Sequence, residues 1–214
     1  MSDYREYYRR HLPHWQPEGT TLFITCRLAG SLPRAVIAEL QAERERQNAV
    51  LARIDDAQER RKQTYLEDRR AFGRWDKVLD CASDTPRWLS DPRVAEIVVE
   101  ALHYRDGRVY DLLAFCLMPN HMHLVVTLLA RCDGAYYVLH RILQSLKRHT
   151  ARQANRILDR RGPFWQAESY DHVVSDADEL ARIVRYVINN PVKAGLVSEW
   201  ESWPWTYCKM RVAK

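Results

Sequence analysis

The stretch VYDLLAFCLMPNHMHLVVTLL, residues 109–129, decides how the rest of the chain is read. Two apolar runs, 109–117 and 121–129, are separated only by Met118, Pro119 and Asn120. Runs of that length and apolarity, joined by so short a break, predict an antiparallel hairpin at the centre of a sheet. Within the second run, His121 and His123 are one residue apart. Strand side chains alternate with a period of two, so both imidazoles are expected on one face and Met122 on the other. Two imidazoles on one face can share a metal ion at about 2.0–2.2 Å. They can equally be hydrogen-bonded polar residues at a strand end, and the short motif alone does not choose.

Outward from the hairpin, residues 20–28 (TTLFITCRL) read as a further strand, rich in β-branched and aromatic residues. Residues 34–72 contain neither glycine nor proline, and the charges of residues 39–80 cancel. Leu51, Tyr65, Phe72 and Leu79 fall in one column of a seven-residue repeat that Gln58 interrupts, which predicts a long helix or a helical hairpin inserted over 34–80. Its neutrality argues against its being the main grip on an anionic partner. Val94, Ile97, Val98 and Leu102 mark a helix opened near Pro92 and closed by Gly107. Helices are also expected over 135–158 and from Asp176 to about Asn190, the second with Glu179 at capping-box distance. A strand over 164–174 lies between them. This order suits an α+β fold, an antiparallel sheet with helices on one face.

The bulk numbers exclude more than they assign. A chain of 214 residues that is 46% hydrophobic can bury one substantial core. Net charge is +5 and the pI about 9.0, which favours anionic partners such as nucleic acid without requiring them. The five cysteines are scattered with no CxxC pair, so neither a disulfide framework nor a thiolate zinc site is suggested. Cys26 and Cys116 read as small core residues. Residues 1–15 have no apolar stretch of signal-peptide length, and no run approaches the ~20 apolar residues of a membrane span. A soluble, cytoplasmic chain with no membrane partner is expected.

The histidine strand, Cys116-Leu117-Met118-Pro119-Asn120-His121-Met122-His123-Leu124-Val125-Val126, resembles that of the single-tyrosine HUH transposases, and most closely the REP-associated tyrosine transposases. The resemblance extends in order along the chain. It takes in His11 to Trp15, Ala29 to Pro33, Phe164-Trp165-Gln166, Tyr170 to Val173, Tyr186 through Leu196, and Trp203-Pro204-Trp205. It covers the charged segment least well. It implies a ferredoxin-like, RRM-like sheet and a single catalytic domain over 1–214. It also implies metal-dependent cleavage of single-stranded DNA through a 5′-phosphotyrosine, leaving a free 3′-OH. By position, Tyr186 would be the nucleophile, and Asn190 an oxygen ligand beside His121 and His123 for a divalent ion, Mg or Mn. Tyr186 and Asn190 are four residues apart on a predicted helix, hence on one face. Without the histidines, the same two residues read as a core-edge tyrosine and a helix cap. Tyr170 and His172 alternate along one strand and either border the site, or supply an additional ligand in His172, or pack structurally.

Two basic groups are candidates for DNA. Lys147, Arg148, Arg152, Arg156, Arg160 and Arg161 lie on and just after one helix. They form a solvated face, or a phosphate-binding one if the metal site is near. Arg5, Arg9, Arg10 and His14, among Tyr4, Tyr7 and Tyr8, form an aromatic and basic N-terminal patch suited to unpaired bases. The resemblance implies single-stranded DNA with REP-like hairpins as partner. A monomer with its site in cis is expected, with a dimer left open. The competing readings are a nucleic-acid-binding protein that does not cut, and a phosphodiesterase that uses water.

Overall fold

The computed structural model describes residues 7–9, 13–15, 18–81 and 85–210. They fall into two compact units, one of residues 1–29 with 87–214 and one of residues 30–86. The first contains a five-stranded antiparallel sheet. Its strands are β3 (Thr21–Arg27), β4 (Tyr110–Leu117), β5 (His121–Leu128), β6 (Tyr170–Val173) and β7 (Thr206–Cys208), in the order β6-β3-β5-β4-β7. A separate two-stranded ribbon pairs β1 (Tyr7–Arg9) with β2 (Pro13–Trp15). The predicted hairpin is β4–β5, closed by Met118 N–H donating to the His121 carbonyl at 2.8 Å around Pro119 and Asn120. The histidine strand is therefore the middle strand of the sheet.

Alternation along β3 and β5 separates two faces. Leu22, Ile24, Cys26, Met122, Leu124 and Val126 belong to the main apolar core, as do residues of α3 (Pro92–His103) and α4 (Leu139–Ile157). On β4, a bulge between Leu112 and Ala114 resets the period, so Tyr110, Leu112, Phe115 and Leu117 all reach that same core. Tyr110 is fully buried there and its hydroxyl donates to the Leu102 carbonyl at 2.8 Å. Burial pushes its phenol well above the ordinary value. The opposite face is covered by α5 (Ala177–Ile188), whose Tyr186 ring meets Phe23 and His123. Helices thus cover both faces of the sheet, where the sequence suggested one. A short amphipathic helix after the last long strand can pack on either side, and the pattern does not say which.

Two element boundaries also differ. The helix expected from 135 begins at Leu139, because Tyr137 N–H donates to the Leu129 carbonyl and Ala130 pairs with Tyr136, extending the strand connection. The strand expected over 164–174 is regular only at Tyr170–Val173. Before it, Phe164 and Trp165 turn into the core, Trp165 bridges Leu28, and the indole N–H of Trp165 donates to Thr150 Oγ1 at 2.8 Å. Trp203 and Trp205 tie the C-terminal segment to Leu117, through the Trp203 indole to its carbonyl (2.8 Å) and its N–H to the Trp205 carbonyl (2.9 Å).

The unit of residues 30–86 holds a helical hairpin, α1 (Arg34–Leu51) and α2 (Ala57–Cys81). Asp56 starts α2 by accepting from Glu59 N–H at 2.6 Å, and Glu43 pairs with Arg74 across the two helices at 3.3 Å.

The cap of α5 is Asp176, whose Oδ1 accepts from Glu179 N–H at 2.7 Å. The Glu179 side chain does not return to the Asp176 backbone as a capping box would. It is buried and accepts from Ser175 N–H (2.8 Å) and Ser175 Oγ (2.7 Å), and lies 3.2 Å from His172 Nε2. The start of α5 is thereby fastened to β6.

Replacing Tyr110 with Phe should lower unfolding stability by about 1 kcal/mol in a denaturant titration, since one buried hydrogen bond is lost and the ring is kept. The Asp176 carboxyl is held below its ordinary value, first by the Glu179 N–H and then by the Ser175 hydroxyl. A folded-state value below the unfolded one gives stabilisation that is complete above about pH 4 and lost as pH falls through the lowered value. Asp176→Asn should therefore flatten the acid limb of melting temperature against pH below about pH 4.

Candidate active site

His121 and His123 are both fully buried, on the face of β5 opposite Met122. Their Nε2 atoms are 3.1 Å apart. Each ring is anchored through its other nitrogen, His121 Nδ1 to Asn120 Oδ1 at 2.7 Å and His123 Nδ1 to Thr25 Oγ1 at 2.9 Å. His121 Nδ1 must donate, because the Asn120 oxygen can only accept. When His123 Nδ1 likewise donates to Thr25, both Nε2 lone pairs converge on one point. Two lone pairs so close repel each other unless a proton or a cation lies between them. Neighbouring ligands of one ion with metal–nitrogen bonds of about 2.0–2.1 Å lie roughly 3.0–3.4 Å apart, and the observed separation falls in that range. Metal-binding histidines ordinarily donate their far ring N–H to an oxygen acceptor that fixes the ring, and here side-chain oxygens of Asn120 and Thr25 stand in that position. The two histidines belong to a group of side chains that could hold a metal ion.

Beside them, Phe23 stacks on His123 with ring centroids 5.6 Å apart. The Tyr186 ring stands edge-on to His123 at 5.7 Å and to Phe23 at 6.1 Å, and it is half-buried. The structure thus brings together the predicted tyrosine and the predicted histidine pair. Asn190 does not lie in one continuous helix with Tyr186, as expected. α5 ends at Ile188, and Asn190 opens the one-turn helix α6 (Asn190–Lys193). Asn190 is fully buried, and neither its Oδ1 nor its Nδ2 has a hydrogen-bond partner among the described residues. Two unsatisfied amide atoms in the interior cost free energy and point to a ligand that would satisfy them.

Of the rival candidates, His172 is committed to Glu179. Tyr170 packs edge-on to Phe23 at 6.2 Å. Thr25, Asn120 and Phe23 were not singled out from the sequence. The register of β3 against β5, which pairs Thr25 with His123, identifies the first, but only once that pairing is known.

The basic groups are placed differently from one another. Arg5 and Arg10 lie outside the described residues, and Arg9 and His14 lie on the paired strands β1 and β2. Arg148, Arg152 and Arg156 are exposed on α4. α4 packs on the Met122 face, so they are not beside the histidines, as the phosphate-binding reading had supposed. Lys147 gives its donors to the Gln166 carbonyl (2.9 Å), the Ala167 carbonyl (3.2 Å) and Ser169 Oγ (2.7 Å), and so it braces the loop rather than offering a charge to phosphate. Arg160 stacks over Trp88 at 3.6 Å and bonds Asn155 and the Pro163 carbonyl. A groove of about 350 Å³ opens between α4 and the 162–169 loop, with Gln144, Arg148 and Trp165 among its walls. Among the described residues, no helix is long and apolar enough to cross a membrane.

Residues 90–190 fit the family model of the IS200-like transposases, a span that takes in α3, β4, β5, α4, β6, α5 and the first residue of α6. More particularly, the chain is similar to REP-associated tyrosine transposases. It is 29% identical over 102 residues to a Haemophilus influenzae protein assigned to them, covering 45% of this chain and 58% of that protein. It is 25% identical over 107 residues to the Escherichia coli REP-associated tyrosine transposase, covering 50% of this chain and 59% of that one. The chain thus spans less than two thirds of either relative. A solved structure of a REP-associated tyrosine transposase bound to a REP hairpin is similar at a TM-score of 0.46 and 18% identity, over 96% of this chain and 82% of that one.

In titration calorimetry the chain should bind Mn²⁺, and either His121→Ala or His123→Ala should abolish that binding. Asn120→Ala should weaken it by about tenfold, as loss of an outer hydrogen bond to a ligating histidine does.

Proposed function

We propose that the chain is a single-strand DNA endonuclease and strand transferase that works through a phosphotyrosine on Tyr186, with hairpin-bearing, REP-like DNA as substrate. The observation that carries this reading is the 5.7 Å separation of the Tyr186 and His123 rings within one chain. That separation also favours a monomer with its site in cis. The relatives supply the substrate class, since both are named for REP elements.

His121 and His123 would hold a divalent ion, with the Asn190 carboxamide oxygen as a third ligand. Two nitrogens and one neutral oxygen suit Mn by affinity, and Mg by abundance. Such an ion, when bound, polarises a non-bridging phosphate oxygen and offsets charge in the transition state. Tyr186 does the covalent chemistry. Its phenol loses its proton and its oxygen bonds to phosphorus. The bond from phosphorus to the 3′-oxygen breaks, and that oxygen takes up a proton to leave a 3′-OH. The 5′-phosphotyrosine conserves the energy of a phosphodiester, so the reverse attack by another 3′-OH rejoins strands. Phe23 and the α5 cap hold the ring edge-on to His123, which reduces the motion needed before attack. The exposed arginines of α4 are suited to the phosphates of a hairpin arm, at a distance from the scissile bond.

Incubating end-labelled, hairpin-bearing single-stranded DNA with the chain and Mn²⁺ or Mg²⁺ should yield a protein–DNA adduct on a denaturing gel. Tyr186→Phe should remove the adduct altogether. Cleavage that survives Tyr186→Phe would instead indicate attack by water. Binding without cleavage under either metal would indicate a recognition protein.

A further inference from the structure

Lys193 closes α6, and its ammonium lies over the Tyr186 ring, 5.4 Å from the centroid. Three residues of this segment, Tyr186, Asn190 and Lys193, follow the spacing i, i+4, i+7, the stripe of one helical face. The break at Asn189 does not disperse the stripe, since Lys193 still returns to the tyrosine. The turn that follows fixes it. Gly195 adopts a φ of +69°, Leu196 N–H donates to the Pro191 carbonyl at 2.9 Å, and Ala194 N–H donates to the Asn190 carbonyl at 2.9 Å. Only a residue tolerant of left-handed backbone closes the turn this way. Along the stripe, burial falls from the enclosed Asn190 to the exposed Lys193, with Tyr186 between them in exposure. A positive charge on an exposed residue therefore stands over the same half-buried ring that meets His123.

An exposed ammonium over a tyrosine contributes only about 0.5–1 kcal/mol to folding. An anion approaching that phenol from solvent, by contrast, must come within reach of it. We infer that Lys193 contacts the substrate itself, its ammonium meeting a non-bridging oxygen of the phosphodiester that Tyr186 attacks. This rests on the tyrosine reading above. Lys193 differs from the α4 arginines in acting at the scissile phosphate rather than along the hairpin arm.

The test is single-turnover adduct formation by the full chain with labelled hairpin-bearing DNA and Mn²⁺, alongside DNA affinity and Mn²⁺ titration. Lys193→Met is expected to slow adduct formation by about 10²-fold, the scale on which one charge-stabilising donor acts. DNA affinity should change by less than about threefold, since many phosphates share that binding. Mn²⁺ binding should be unaltered. Lys193→Arg should recover most of the rate, because a guanidinium also meets a phosphate oxygen. Arg185→Met removes the same unit of charge from the neighbouring, exposed position on α5 and should leave the rate as it is.

Three results overturn the inference: a Lys193→Met rate close to that of the parent, an equal loss in Arg185→Met, or no recovery with Arg. If Lys193→Met melts below the assay temperature, Lys193→Gln and Lys193→Arg decide the same question. A parent chain that yields no adduct with either metal overturns the tyrosine reading itself, which is a distinct result from an adduct that ignores Lys193.

Discussion

The convergence of two imidazoles across 3.1 Å is the constraint on which the candidate active face depends. It follows from the strand period, because Met122 is drawn into the core and its neighbours on either side are sent to the opposite face. Burial of Met122, Leu124 and Val126 contributes about 1.5–3 kcal/mol for each side chain. That burial holds the two histidines in register far more firmly than any contact they make themselves. A slip of one residue in β5 would bury the imidazoles in the apolar core and turn the methionine to the face that the histidines now occupy. The neighbouring strands then fix the rings: β3 supplies Thr25 to one, and the β4–β5 turn supplies Asn120 to the other.

The second requirement is that a helix from the far end of the chain reach this face. α5 meets it through its start, where Asp176 caps the backbone and the buried Glu179 gathers Ser175 and His172. Because His172 belongs to β6 and β6 pairs with β3, the tyrosine helix is tied to the strand that carries Thr25 and Phe23. The anchors of His123 and of the tyrosine thus share one strand. Tyr186 then needs only its own packing against Phe23 to be set beside His123.

The basic surface is divided by the sheet. The arginines of α4 lie over the core on one side, and the histidines, Tyr186 and Lys193 lie on the other. Nucleic acid that touched both would have to pass around the sheet edge. A run of arginines at helical spacing states only that one helix face is charged. Which side of the sheet that helix covers is set by the crossover connections. The same run also conceals different roles: Lys147 braces the 166–169 loop and Arg160 stacks on Trp88, as no spacing rule could separate them from Arg148 or Arg152.

The sequence by itself determined the central hairpin, the shared face of His121 and His123, the cap at Asp176 and the candidate tyrosine. The first three follow from local periodicity or from chemistry within a few residues, and the tyrosine from the resemblance of its segment to a known family. The tertiary structure alone decided that α5 lies on the histidine face, that Thr25 braces His123, and that Asn190 sits buried in a separate turn. It likewise placed Lys193 over the tyrosine ring. Those facts depend on pairings between residues tens of positions apart, as with Thr25 and His123, and on a helix break whose direction local propensity does not encode. Register and crossover are settled by which whole arrangement buries the most apolar surface, and that is a property of the folded chain.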